Sequence, residues 1–128
     1  MSLRRISSGG PWEEIFGYSR AVVAGPWIIT AGCTSTVDGV VTNVGDAAGQ
    51  TRQAFQIAIE ALAEAGASVE DVVRTRMYVV DAADADAVGR THGEIFGEVR
   101  PAAAMVVVAA LLSPEHLVEV EVEAYRPS

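Results

Sequence analysis

The chain has 128 residues, half of them hydrophobic and a fifth charged, with a net charge of −8. That length suits a single domain, 1–128, able to bury roughly two thirds of its unfolded surface. All nine basic residues are arginine and none form a run, which argues against a nucleic-acid partner, and no apolar stretch reaches the ~18 residues that would imply a membrane partner.

Residues 1–12 are polar and carry Ser7-Ser8-Gly9-Gly10-Pro11, which reads as an N-terminal arm. Tyr18 to Val23 and Pro26 to Ala31 read as two strands, with Ala24-Gly25-Pro26 as the hairpin turn between them. Asp38-Gly39, set between valines, marks another tight turn. From Asp46 the period becomes helical: Ala54, Phe55, Ala58, Ile59, Leu62 and Ala65 form one apolar stripe. Asp46 is placed to cap its start and Gly66 its end. Ser68-x-x-Asp71 fits a short capped turn.

Val72 to Val80 reads as a strand with Val73, Thr75, Met77 and Val79 on one face, and Arg74, Arg76, Tyr78 and Val80 on the other. A second helix spans about Asp84 to Phe96. A strand follows Arg100-Pro101, and the last strand, Leu117 to Ala124, alternates without a break. Val118, Val120 and Val122 take one face; Glu119, Glu121 and Glu123 take the other. The order ββ-α-β-α-ββ predicts an α+β domain: a mixed sheet with two helices packed on one face.

The order Arg100-Pro101-Ala102-Ala103, strand, short loop, Val118-Glu119-Val120-Glu121 resembles the signature of the Rid family, the reactive-intermediate deaminases also known as YjgF-like or endoribonuclease L-PSP proteins. The resemblance runs from about Gly17 to Ala124 and implies the chorismate-mutase-like fold of that family. It also implies a homotrimer whose clefts, between subunits, receive a small molecule. The uncovered face fits such an interface. By alternation it would carry Tyr18, Arg20, Arg74, Arg76, Tyr78, Ala103, Met105, Val107 and the three glutamates. That mixture is too charged to bury unpaired and too apolar to leave in water.

Family deaminases hydrolyse 2-imino acids or their enamine tautomers to 2-keto acids and ammonia. Glu119 matches the first glutamate of the family's Val-Glu-Ile-Glu-Ala motif, which is held to help activate the attacking water. Glu123 reads equally well as a residue that keeps a strand soluble. Where the family reads Pro-Ala-Arg this chain has Pro101-Ala102-Ala103, so the guanidinium that would grip the substrate carboxylate is missing. Gly89 stands where relatives often carry a cleft-lining Asn.

Arg20 and Arg76 are the candidates to replace that grip, unless each forms a structural bridge to Glu119 or Glu121. Tyr18, Gly32, Cys33 and Met105 complete the expected binding set. Gly32-Cys33 is the counterpart of a cleft-bordering Gly-Gln, and Cys33 reads better as a small buried hydrophobe than as a nucleophile. His92 and His116 lack ligand spacing, so no metal and no cofactor is expected. One cysteine, and no apolar segment after Arg4-Arg5, make a cytoplasmic location the expectation.

Three functions remain from these residues. One is hydrolysis of an imine, enamine or related metabolite; another is non-catalytic binding of a small molecule in the same clefts. The third is the ribonuclease activity in one of the family's names, which the acidic balance disfavours.

Overall fold

In the computed structural model, which describes residues 3–127, the alternating C-terminal strand lies near the middle of the sheet. The strands are β1 (Leu3–Ile6), β2 (Ala21–Ala24), β3 (Trp27–Thr30), β4 (Thr36–Val37), β5 (Val40–Val41), β6 (Val72–Val79), β7 (Ala102–Val107) and β8 (Val118–Tyr125). The helices are α1 (Pro11–Phe16), α2 (Ala47–Glu64) and α3 (Ala85–Phe96). Six strands form one mixed sheet in the order β1-β2-β3-β8-β6-β7, with only the β6–β7 pair parallel. β4 and β5 form a separate hairpin. Its turn residues Asp38 and Gly39 have φ of 52° and 79°, the left-handed pair that two-residue hairpins require.

α2 and α3 cover one face. α2 buries Ala54, Phe55, Ala58 and Leu62 completely, and α3 buries Val88 and Phe96, all against Val118, Val120, Val122, Met77 and Val79. Phe55 meets Phe96 edge to face at 5.0 Å between ring centroids, which ties the two helices together over the sheet. Asp46 caps α2 by accepting the Gly49 N–H at 3.0 Å, as its position predicts. The Asp71 carboxylate accepts the Ser68 N–H at 2.9 Å, closing the short turn before β6. Among the described residues, no helix is long and apolar enough to cross a membrane.

Four expectations change. The stretch read as an arm contains β1, paired with β2, and the start of α1. Tyr18 to Arg20 lie outside any strand, since β2 begins only at Ala21. Val73 is exposed while Val72 is buried, because a bulge between Val72 and Arg74 shifts the alternation by one at the start of β6. Most consequential, Ala103 pairs with Thr75 and Met105 with Met77, both buried beneath the helices. Ala103, Met105 and Val107 therefore take the helix side of the sheet, while Ala102, Ala104 and Val106 take the uncovered side. Paired residues of neighbouring strands share a face, and a one-residue slip, invisible in an unbroken apolar run, reverses every side chain.

Truncating the ring that joins both helices to the sheet should be costly. Phe55→Ala is expected to lower unfolding free energy by about 3–5 kcal/mol in urea denaturation. A loss below about 1 kcal/mol would mean the helices are not held through this residue.

Candidate functional site

The site grows from an irregularity between β3 and β8. Ile29 pairs with Glu123, and Cys33 pairs with Val120, so β3's side carries one more residue than β8's across the same interval. Cys33 and Val120 exchange backbone hydrogen bonds at 2.8 and 2.9 Å. Thr30 covers part of the gap by accepting the Val122 N–H on its hydroxyl at 3.0 Å. The extra length places Gly32 directly beside the Glu119 side chain. A β-carbon at residue 32 would overlap that carboxylate, so the close approach depends on glycine.

Glu119 is partly buried, and among the described residues neither carboxylate oxygen has a hydrogen-bond or ion-pair partner. Burial pushes its pKa above the ordinary carboxylate value; the nearby Glu121 charge adds to the rise and the Arg20 guanidinium opposes it. A carboxylate that is unengaged, half-desolvated and more basic than usual is suited to taking a proton from water.

Glu121 and Glu123 lie on the same uncovered face but are engaged. Tyr78 donates its hydroxyl to Glu121 Oε1 at 2.5 Å, and Arg76 Nη1 donates to Glu123 Oε1 at 3.0 Å. Tyr78 and Arg76 thus serve as partners for two of the three carboxylates. Arg76 pairs with Glu123, rather than with Glu119 or Glu121, and is turned away from Glu119 along the sheet.

Arg20 is not on the uncovered face. Its guanidinium runs beneath the Ala31–Cys33 segment. Nη1 donates to the Gly32 carbonyl at 2.7 Å and lies 3.6 Å from the Cys33 sulfur; Nη2 donates to the Tyr18 hydroxyl at 3.4 Å. Its Nε is buried without a hydrogen-bond partner and lies 3.9 Å from Glu13. The alternative bridge to Glu119 or Glu121 does not form; Arg20 instead holds the loop that supports Glu119. Cys33 is 1% exposed and faces the core with Val120. Burial pushes its thiol pKa up, Arg20 only partly opposes this, and Glu119 and Glu121 push it further, so it stays protonated at neutral pH.

Tyr18 is 40% exposed and borders an open depression with Ser19, Val22, Ile29 and Ala31. The structure thus brings Gly32 and Glu119 together, with Arg20, Tyr18 and the Cys33 backbone supporting them. On the other side of the sheet, Met105 packs beside Gly89 of α3, and the exposed Ala103 lies two residues before it on the same face of β7. A β-carbon at Gly89 would touch the Met105 methyl at 3.6 Å. Among the described residues, no group of His, Cys, Asp and Glu is arranged to hold a metal ion. His92 and His116 make long-range hydrogen bonds instead, with Thr75 and Thr36, each at 2.8 Å.

Two supporting residues gave no pattern to read. Glu13 is buried in α1 and accepts from the Ser8 backbone and hydroxyl, filling the space beside Arg20. Gln50 is fully buried. It donates to the Glu115 carbonyl at 2.8 Å and accepts the Leu117 N–H at 2.8 Å, fixing the chain as it enters β8. The only signal for Glu13 is an acidic residue in the first turn after Pro11, which any helix start would share.

Because Glu119's pKa is raised in the fold, its contribution to stability is full below the unfolded value and is lost as pH rises through the folded one. Glu119→Gln should therefore raise Tm at pH 7–8 by on the order of 2 °C, with the difference shrinking toward zero below about pH 4 in thermal melts. A lower Tm for the variant at neutral pH would mean the carboxylate is paired and stabilising.

The endoribonuclease L-PSP family model matches residues 12–126. An uncharacterized Streptomyces coelicolor protein is 47% identical over 125 residues, covering 98% of this chain and 93% of that one. The 3-aminoacrylate deaminase RutC of Acinetobacter baylyi is 39% identical over 80 residues, covering 62% of this chain and 63% of that protein. The crystal structure of Rv2704 from Mycobacterium tuberculosis, described as a member of the YjgF/YER057c/UK114 family, superposes with a TM-score of 0.88 at 45% identity, covering 97% of this chain and 99% of that one. The alternating Val-Glu strand, the helix-covered mixed sheet and these matches agree: the chain belongs to the endoribonuclease L-PSP family, the YjgF-like or Rid proteins.

Proposed function

We propose that three copies of this chain join through the uncovered sheet faces, and that the clefts between them hydrolyse an imine or enamine with Glu119 as the base. The observation that carries the catalytic reading is the unengaged, partly buried Glu119 carboxylate, held against Gly32 and more basic than usual. The A. baylyi relative bears the name 3-aminoacrylate deaminase, and 3-aminoacrylate is an enamine, which supports the same reaction class.

Assembly is supported by the surface itself. Leu3, Trp27, Ile29, Tyr125 and Val106 lie on the uncovered face, each between 42% and 51% exposed, beside the Arg76–Glu123 pair. Such a face loses water favourably only against a matching surface that keeps its ion pairs intact. Assembly would also let the two sides meet. Glu119 and the Ala103–Met105 stretch lie on opposite sides of one protomer's sheet, so they can serve one pocket only when different copies contribute them.

Within such a cleft, water would stand between the Glu119 carboxylate and the C=N carbon. Glu119 takes the water proton as oxygen adds to carbon, then returns it to nitrogen so that ammonia can leave. A binding module without turnover is the second reading, favoured by the methyl group of Ala103 where relatives offer a guanidinium. Ribonuclease activity is disfavoured by three carboxylates on the open face and a net charge of −8.

Ammonia release from a panel of freshly generated imines, corrected for spontaneous hydrolysis, tests the reading. At least one imine should be accelerated, and Glu119→Gln should lower that rate by about 100-fold or more. The wild-type rate should rise with pH through a limb above the usual carboxylate range, as the raised pKa requires. An unchanged rate in Glu119→Gln would remove Glu119 from the chemistry. Stable ligand binding with no acceleration of any imine would favour the binder.

A further inference from the structure

We propose that the cleft's substrate is an iminium without a carboxylate, derived from an amine rather than from an amino acid; the inference rests on the hydrolase reading above. It stands on where the positive charges of the chain are spent.

In a 2-imino acid the carboxylate is bonded to the imine carbon itself. A group that grips it must reach to within a few ångströms of the water that Glu119 activates. Among the described residues of one protomer, Arg20 is the guanidinium whose charge reaches Glu119, and it is not free to grip a carboxylate. Arg20 is consumed beneath the loop by the Gly32 carbonyl, the Cys33 sulfur and the Tyr18 hydroxyl. Arg76 is bound to Glu123 at 3.0 Å. Arg74 pairs in register with Glu123, four residues along β8 from Glu119 and so roughly 13 Å away. What does lie near Glu119 is Glu121, whose charge already helps keep the Glu119 proton on. A substrate anion placed there would meet two carboxylates, and the one guanidinium whose charge is felt there, Arg20, is already bound beneath the loop.

The same surroundings suit a protonated imine. Its N–H groups donate, and its charge is the opposite of the cleft's. Glu121 Oε1 takes the Tyr78 hydroxyl, which leaves the second oxygen able to accept an iminium N–H while Glu119 handles the water. The other wall is apolar: Ala103, Met105 and Gly89 offer no hydrogen-bonding side-chain N–H or O–H, so the carbon substituents they would contact are hydrocarbon.

The reaction balances as one iminium ion plus one water giving one aldehyde or ketone plus one ammonium ion. Water oxygen bonds to carbon, the C=N π pair moves to nitrogen, and Glu119 receives the water proton. Glu119 then protonates nitrogen, the C–N bond breaks with its pair leaving on ammonia, and the hydroxyl proton passes through Glu119 to ammonia as C=O forms. No oxidant or reductant is consumed. The reaction class that must supply such a substrate is the two-electron oxidation of a primary amine.

A matched pair of imines, differing only in the carboxylate, tests the inference. Flavin amine oxidation of benzylamine supplies phenylmethanimine, and amino-acid oxidation of phenylglycine supplies 2-imino-2-phenylacetate. Semicarbazide trapping reports the decay of each with wild type, Glu119→Gln and Ala103→Arg. The expected result is that wild type accelerates phenylmethanimine at least tenfold more than its carboxylated partner. Glu119→Gln should remove the acceleration, and Ala103→Arg should shift preference toward the carboxylated imine. Equal turnover, or preference of the wild type for 2-imino-2-phenylacetate, overturns the selectivity while leaving the hydrolase reading intact; a guanidinium such as Arg100 of a neighbouring copy would then be reaching the cleft. Acceleration of neither compound, nor of any imine in the wider panel, overturns both.

Discussion

The alternation of β8 is the constraint on which the rest depends. A strand can hide its valines only by sending its glutamates to the other side, and β8 lies between β3 and β6, not at an edge. Val118, Val120 and Val122 are therefore buried under α2 and α3 while three carboxylates are fixed on the uncovered face. Everything on that face answers to them. Tyr78 donates a hydrogen bond to one, Arg76 pairs with another, and the extra residue before Cys33 lets Gly32 close over the third. The core and the candidate chemistry are two faces of one strand.

That division explains how the site is maintained. Glu119's isolation costs stability, because a half-desolvated charge has lost water without gaining a partner. Around it the molecule is heavily tied. Gln50 fixes the entry to β8, Cys33 and Val120 lock the backbone opposite, and Arg20 with Glu13 fills the space beneath the loop. Rigid support around one unpaired group is the arrangement expected where the group has work to do at a fixed place. The opposite side, with Ala103, Met105 and Gly89, brings shape without charge, so polarity in an assembled cleft would come almost wholly from the Glu119 side.

Much of this was legible in the residues. The Val-Glu alternation, the stripe through Ala54, Phe55, Ala58 and Leu62, and the Asp46 cap each carry a period or a side-chain chemistry that admits few alternatives. The family resemblance was legible for the same reason. What escaped was set by register and by long-range fit. Ala102 to Val107 has no polar alternation, so nothing local says that Ala103 and Met105 face the helices; only pairing with Thr75 and Met77 does. Arg20 looked free to face a cleft because the irregularity that draws its guanidinium under Gly32 is made by two strands distant in sequence. Glu13 and Gln50 gave no warning, since a buried polar residue announces itself only through partners that folding brings to it.

The proposed cleft requires the uncovered face to be covered by further copies of this chain, and the molar mass in solution measures that most directly. Light scattering on the eluting protein, at micromolar concentration and moderate salt, should give three times the 13.4 kDa chain mass. A monomer at that concentration would leave Glu119 and Ala103 on separate sides of one sheet, with no cleft for either to serve.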